Sequence, residues 1–210
     1  MATLVDKYFS KYDMDAIESA IKKAETTTEG EIVVDLASHT RNWMLERVFY
    51  SILFGLLFGF AALFITRQED WGVVYNLTQA SLWSLAGFVV GYFGWGAVLK
   101  RTERRRKFVW KSAAERFLSL TPVRGKAGVL ISVSLEENEA ALVADTGIAS
   151  KLPPEYWPAL REQLVAALKE GKHAEGIIAS INKLAGELTT HFPGGADDAN
   201  QLPNRPNVID

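Results

Sequence analysis

The chain has 210 residues, no cysteine and a formal net charge of -2. The missing cysteines exclude disulfides and thiolate metal sites, and the near-neutral balance points to no nucleic-acid partner. The length fits one ordinary domain plus an extra element, and the charges are dense at both ends but almost absent between Val48 and Leu99.

Asp13 is the expected N-cap of a first helix reaching about Thr27. Ile17, Ala20, Ile21 and Ala24 recur at helical spacing and form its buried face. TTTEG ends it, and EIVVDLAS follows as a strand with Ile32, Val34 and Leu36 on one side.

Val48–Thr66 then runs for nineteen residues without a charge. A bilayer core of about 30 Å needs about 20 apolar helical residues. A second uncharged stretch runs from Trp71 to Leu99, with its best spanning window at about 78–99. A domain this small cannot wrap two helices that are apolar all round, which argues against a buried core pair. Trp43, Trp71 and Trp95 flank the spans at the depths that aromatic rings favour.

Arg41 and Arg47 precede the first span, and KRTERRRKFVWK follows the second. The loop between them has only Arg67, offset by Glu69 and Asp70. The positive-inside rule therefore places both termini in the cytoplasm, with two passes through the cell (inner) membrane. The start of the chain, MATLVDKYFSKYDMD, has no signal-peptide apolar core, so nothing in it directs that end outward. The basic cluster reads either as this topology signal or as a patch for anionic headgroups.

Each span carries a small-xxx-small pattern, Gly55/Gly59 and Gly87/Gly91. Such faces bring helices close in lipid, either within one hairpin or between copies in a homo-oligomer. Neither span has an ionisable residue, so the hairpin reads as an anchor in the lipid bilayer. An oligomeric channel is the minor alternative.

After the hairpin, Val109, Ala113, Phe117 and Leu120 mark a helix over about 105–120, broken by TPVRG. AGVLISVSL and AALVADTG are short strands joined through the charged turn EENE, an antiparallel hairpin with a loop of about four residues. Pro158 fits a first helical turn, and the helix it begins stops at Gly171. A last helix, about Ala174–Thr190, buries Ile177, Ile178, Ile181, Leu184 and Leu188. The final residues are rich in Pro, Gly, Asn and Asp and read as an irregular tail. The divisions are 1–44 (helix and first strand), 45–100 (membrane hairpin), 101–193 (the rest of the domain) and 194–210 (tail). Neither flanking piece makes a sheet alone, so the hairpin is an insertion into one α/β domain.

AIESAIKKAETTTEGEIVV near the start, then FLSL, VLISVSLEE, ALVADTGI, PPEYW and HFP, resemble in order and spacing the TPM domain family, from about Asp13 to Pro193. More narrowly, the chain resembles bacterial membrane proteins whose TPM domain is interrupted by two helices. The resemblance implies a three-layer α/β/α fold with a small mixed sheet. It also implies acid phosphatase activity and calcium binding as known for some members, and accessory or assembly roles with protein partners for others. Many TPM proteins are exported, with a signal peptide and a C-terminal anchor. This chain departs from that pattern, which points away from a lumenal or periplasmic role.

Topology supplies a site independently of the family. Strands one and two are joined through a helix and are expected to be parallel, with strand three returning antiparallel. The start of strand one, the start of strand two and the end of strand three then share a sheet edge. That edge carries Glu29, Glu31, Arg124 and Asp145. One reading is a carboxylate cluster of Glu29, Glu31 and Asp145 for Ca²⁺ or Mg²⁺. There the metal would polarise a phosphoryl group held by Arg124, with Glu31 and Asp145 as catalytic candidates in a phosphomonoesterase. The other is that Asp145 caps the turn DTGI while Arg124 pairs with a glutamate. Gly147 is expected to supply a turn conformation closed to other residues.

Asp35 faces either a pocket or solvent. Tyr156 and Trp157 form either a recognition patch or core packing. The three histidines, His39, His173 and His191, show no metal-ligand spacing, and Asp197–Asp198 is too short for an EF-hand loop. No glycine-rich phosphate loop or nucleophile elbow is present. The leading expectation is a cytoplasm-facing interaction or accessory module with a protein partner, and a metal-assisted phosphatase is the alternative.

Overall fold

The structure, a computed structural model, describes residues 4–40, 43–65, 76–99, 102–120, 128–194 and 203–209. In chain order its elements are α1 (Leu4–Tyr8), α2 (Lys11–Glu25), β1 (Glu31–Ala37), α3 (Trp43–Ile65), α4 (Leu77–Leu99), α5 (Thr102–Ser119), β2 (Gly128–Ser134), β3 (Glu139–Ala144), α6 (Thr146–Ala149), α7 (Tyr156–Lys169), α8 (His173–His191) and β4 (Asn207–Ile209). They form two compact units, one of Met1–Thr40 with Arg106–Asp210 and one of Arg41–Arg105.

In the first unit, α2 starts earlier than its sequence suggests. Ser10, not Asp13, is the N-cap. Its Oγ accepts the Asp13 N–H at 3.2 Å, and the Asp13 carboxylate accepts the Ser10 N–H at 2.8 Å. Asp13 is thus the third-position partner of a capping box, which satisfies two otherwise orphaned N–H groups. The stripe Ile17, Ala20, Ile21 and Ala24 is buried as expected.

The sheet order is β3-β2-β1-β4. β1 and β2 run parallel, with Glu31 opposite Gly128, and β2 and β3 run antiparallel, with Val129 opposite Ala144. Both relations match the expected topology. The turn Leu135–Asn138 closes the β2–β3 hairpin, and Asn138 takes the left-handed conformation (φ 49°) that asparagine tolerates. All of β1 is buried because it is internal to the sheet and covered on both faces. Ile32, Val34 and Leu36 enter the larger core with the apolar faces of α2, α7 and α8. Val33 enters a smaller core with Leu130, Ala141 and Val109, Ala113 and Phe117 of α5. Helices on both faces of a mixed sheet make the domain α/β/α.

Two further features depart from the sequence reading. The tail is not wholly irregular, since β4 pairs parallel with β1 from Asp35–Asn207 to Ala37–Ile209. Three residues are too few to show a strand period; the open edge of β1 selects them. The HFP segment is fastened too, where the Thr28 hydroxyl donates to the Phe192 carbonyl at 2.6 Å and Thr28 bridges Pro193. Gly147 lies within the single turn of α6 and has no positive φ, because Asp145 rather than a glycine conformation shapes that turn.

In the second unit α3 and α4 are each long and apolar enough to cross a membrane. Their glycines pack against each other. A Cβ on Gly87 would lie 2.5 Å from the Phe54 carbonyl oxygen, and one on Gly91 would lie 2.8 Å from Ser51 Cα. Ser84 Oγ donates to the Gly55 carbonyl at 3.0 Å across the same seam. The small-residue faces of α3 and α4 therefore pack on each other within the hairpin. Large apolar side chains of the hairpin face outward, and Leu56, Phe60 and Phe93 are each about two-thirds exposed. Open apolar grooves of about 890 and 370 Å³ run along it, the first between Leu53, Phe60, Leu77 and Ser81, the second beside Leu57, Ala61 and Trp83. At the end near the basic flanks, Tyr50 stacks on Trp95 at 3.6 Å, and the Arg104 guanidinium sits 5.2 Å from the Trp95 ring centre.

Candidate functional site

The sheet brings Glu31 and Asp145 to one edge, as topology requires. Glu31 opposes Gly128, and the Asp145 N–H donates to the Gly128 carbonyl at 3.0 Å. They stand two strands apart, so their Cα atoms are separated by about 10 Å. Their side chains do different work. Asp145 is the N-cap of α6, and its Oδ1 accepts the Gly147 N–H at 3.3 Å and the Thr146 hydroxyl at 3.0 Å. Glu31 is buried at the start of β1, whereas Glu29 is exposed on the connection before it. Arg124 lies outside the described residues. Among the described residues no group of three His, Asp or Glu side chains is placed to hold a metal ion.

The concentrated polar chemistry is elsewhere, on the α5 face of the sheet and at the end where the chain leaves for the hairpin. Asp35 has no exposed surface. Its Oδ2 accepts Arg116 Nε from α5 at 3.1 Å, and its Oδ1 accepts Asn207 Nδ2 from β4 at 2.9 Å. It faces neither solvent nor an open pocket, because α5 and β4 close over it. An aspartate inside an apolar strand is the only sequence signal for this cluster. A buried carboxylate requires such donors, since desolvation without them costs several kcal/mol.

Glu137 is a second buried carboxylate, in the turn that the sequence shows only as charged. It accepts the Thr40 N–H at 3.3 Å, the Thr40 hydroxyl at 3.0 Å and the Ser134 hydroxyl. Thr40 is the last residue of the first segment before the hairpin, so this carboxylate fixes the point where the chain leaves the domain. Glu139 pairs with Arg161 of α7, whose Nε also donates to the Ala140 carbonyl at 3.1 Å. At the sheet's other end Glu25 accepts the Ile32 N–H at 3.1 Å and Asn204 Nδ2 at 2.6 Å. Apart from Ser134–Glu137, three residues apart, these contacts have no local motif spacing in the sequence.

Tyr156 and Trp157 are half-buried against the larger core, which is the packing reading of that pair. Burial, and next the Glu187 carboxylate, push the Tyr156 phenol up to about 12. His173 is buried, with Nδ1 3.0 Å from the Gly171 carbonyl and its ring 4.5 Å from that of Tyr8. His39 is exposed just after β1, and His191 is exposed at the opposite end of α8 from His173. The buried carboxylates Asp35, Glu137 and Glu139 are all committed to donors from other elements, an arrangement that ties α5, β4, α7 and the exit of β1 to the sheet.

Residues 102–187 match the model of the TPM domain. No curated protein matches the chain. The fold is similar to that in the NMR structure of BA42 protein from the psychrophilic bacterium Bizionia argentinensis. That likeness has a TM-score of 0.57 at 21% identity and covers 95% of this chain and 94% of the other. The matched segment contains α5, β2, β3, α6 and α7, and most of α8, while β1 lies before it and β4 after it. Residues 102–187 thus match the TPM domain model, and the α/β/α fold around them is shared with BA42.

Proposed function

We propose that the protein is a TPM domain anchored in the cell (inner) membrane by α3 and α4, with both termini in the cytoplasm, and that it acts as an interaction or accessory module. The observation that carries this reading is the inversion of burial in the hairpin. Glycines and Ser84 pack inside, while Leu56, Phe60 and Phe93 face out, and only 22% and 17% of the two apolar windows are buried. A core helix of a soluble domain buries its large apolar side chains; a lipid-facing one shows them and packs on small residues. Seven basic residues between 100 and 111 support the cytoplasmic orientation. Alkaline carbonate extraction tests the anchor, which predicts that the chain stays with the membrane pellet. Protease added to sealed inside-out vesicles tests the orientation. It should remove both termini, and their protection would reverse the topology.

A metal-assisted phosphomonoesterase at Glu31 and Asp145 has no observation that favours it, because Asp145 is engaged as a cap. Hydrolysis of a generic phosphomonoester that needs a divalent cation and is lost in Asp145→Ala, with melting unchanged, would bring it forward.

A further inference from the structure

The outward face of α5 is unlike the rest of the domain surface. Its inward stripe, Val109, Ala113 and Phe117, packs on the sheet, and Arg116 is drawn inward to Asp35. Lys107, Lys111 and Leu118 are left on the opposite side, at helical spacing, and Trp110 is exposed at its border. Trp110 is 57% and Leu118 60% exposed, and Lys107 and Lys111 are exposed beside them. Lys111 has one acidic neighbour along the helix, Glu115 at 3.7 Å, a solvated pair of little strength. A large exposed indole between lysines suits the water–lipid boundary, where the ring sits among headgroups and the ammonium groups meet phosphates.

We infer that this face of α5 binds an anionic phospholipid surface. Two features select lipid as the occupant. The first is charge, since seven basic residues meet one acidic residue, Glu103, between positions 100 and 111. The second is continuity, since α5 begins at Thr102, directly after α4 ends at Leu99. A rise of 1.5 Å per residue puts Lys107 about 8 Å and Lys111 about 14 Å along α5 from Thr102. Both lysines therefore lie within about two and a half turns of the start of α5. A topology signal needs only the charges; an exposed tryptophan between them is additional. The inference rests on the membrane-anchored reading for its geometry but is tested separately from it.

The test uses the full chain in vesicles of phosphatidylcholine alone, or with about a third phosphatidylglycerol. Brominated acyl chains quench tryptophan on contact, and subtracting Trp110→Phe isolates the Trp110 signal. Trp110 should be quenched in the anionic vesicles and not in the neutral ones. Raised salt or Lys107→Glu with Lys111→Glu should abolish the quenching, as each basic residue near the surface contributes about fivefold to binding. Equal quenching in both lipids, or none in either, overturns the inference, as does full quenching in the double variant. Carbonate extraction of the same samples separates the two readings. A retained chain with unquenched Trp110 keeps the anchor and sinks the inference. A released chain that still floats with anionic but not neutral vesicles does the opposite.

Discussion

Arg116→Leu removes the cation that is paired with the fully enclosed Asp35 carboxylate. Breaking a buried ion pair from one side costs about 3–5 kcal/mol, because the remaining charge is left without compensation. Two features lower the figure here. Asn207 still donates to Oδ1, and the Arg116 side chain is 42% exposed, so water can reach the vacated position. The expected cost is about 2–3 kcal/mol. For a domain of about 150 residues that lowers Tm by about 6–9 °C. Asp35→Asn removes the charge that needs the guanidinium and leaves Arg116 partly solvated, so it should cost only about 1 kcal/mol. The double variant should therefore melt no lower than Arg116→Leu alone, giving a coupling of about 1–2 kcal/mol. Near-ultraviolet circular dichroism of the full chain in detergent micelles follows the tertiary structure of the domain. A shift below about 2 °C for Arg116→Leu, or a larger loss for Asp35→Asn than for Arg116→Leu, would refute the assignment.

Asp145→Ala should cost about 1 kcal/mol through the lost cap, and Asp145→Ser should recover most of it; a serine variant as unstable as the alanine one would assign Asp145 another role. Tyr156 sets an alkaline limit. Its phenol titrates near 10 when unfolded and about 12 when folded, so the folded state alone keeps the proton between them. Stability should hold below pH 10 and decline as the pH rises towards 12. Tyr156→Phe should flatten that decline, and an unchanged profile would show that another group controls it. Gly87→Leu should separate α3 from α4 and lower the hairpin's thermal stability in micelles, because its Cβ meets the Phe54 backbone. Gly94→Leu, with nothing within 4 Å, should be silent. Equal behaviour of the two would argue against the glycine seam.

Several elements are legible in the amino-acid sequence because their signals are local. The period-2 pattern of Ile32, Val34 and Leu36 marks β1, the stripe from Ile17 to Ala24 marks α2, and two charge-free runs mark α3 and α4. The parallel β1–β2 and antiparallel β2–β3 relations follow from connection rules, and with them the shared edge of Glu31 and Asp145. The capping alternative for Asp145 is legible as well, because the turn it shapes lies within two residues of it.

What only the tertiary structure decided is the fate of the polar residues in the core. Asp35 reads the same in sequence whether it faces water, a ligand or a partner. Its partners lie 81 and 172 positions away, in Arg116 and Asn207. Glu137 has the sequence context of a solvated turn residue, yet Thr40, 97 positions earlier, closes over it. β4 has too little length to declare itself and exists because β1 offers it an unpaired edge. Apolar patterning records which face of an element is buried, since the hydrophobic effect acts without direction on each residue in turn. A hydrogen bond or ion pair needs a specific partner at a specific distance, and only the completed fold brings that partner within reach.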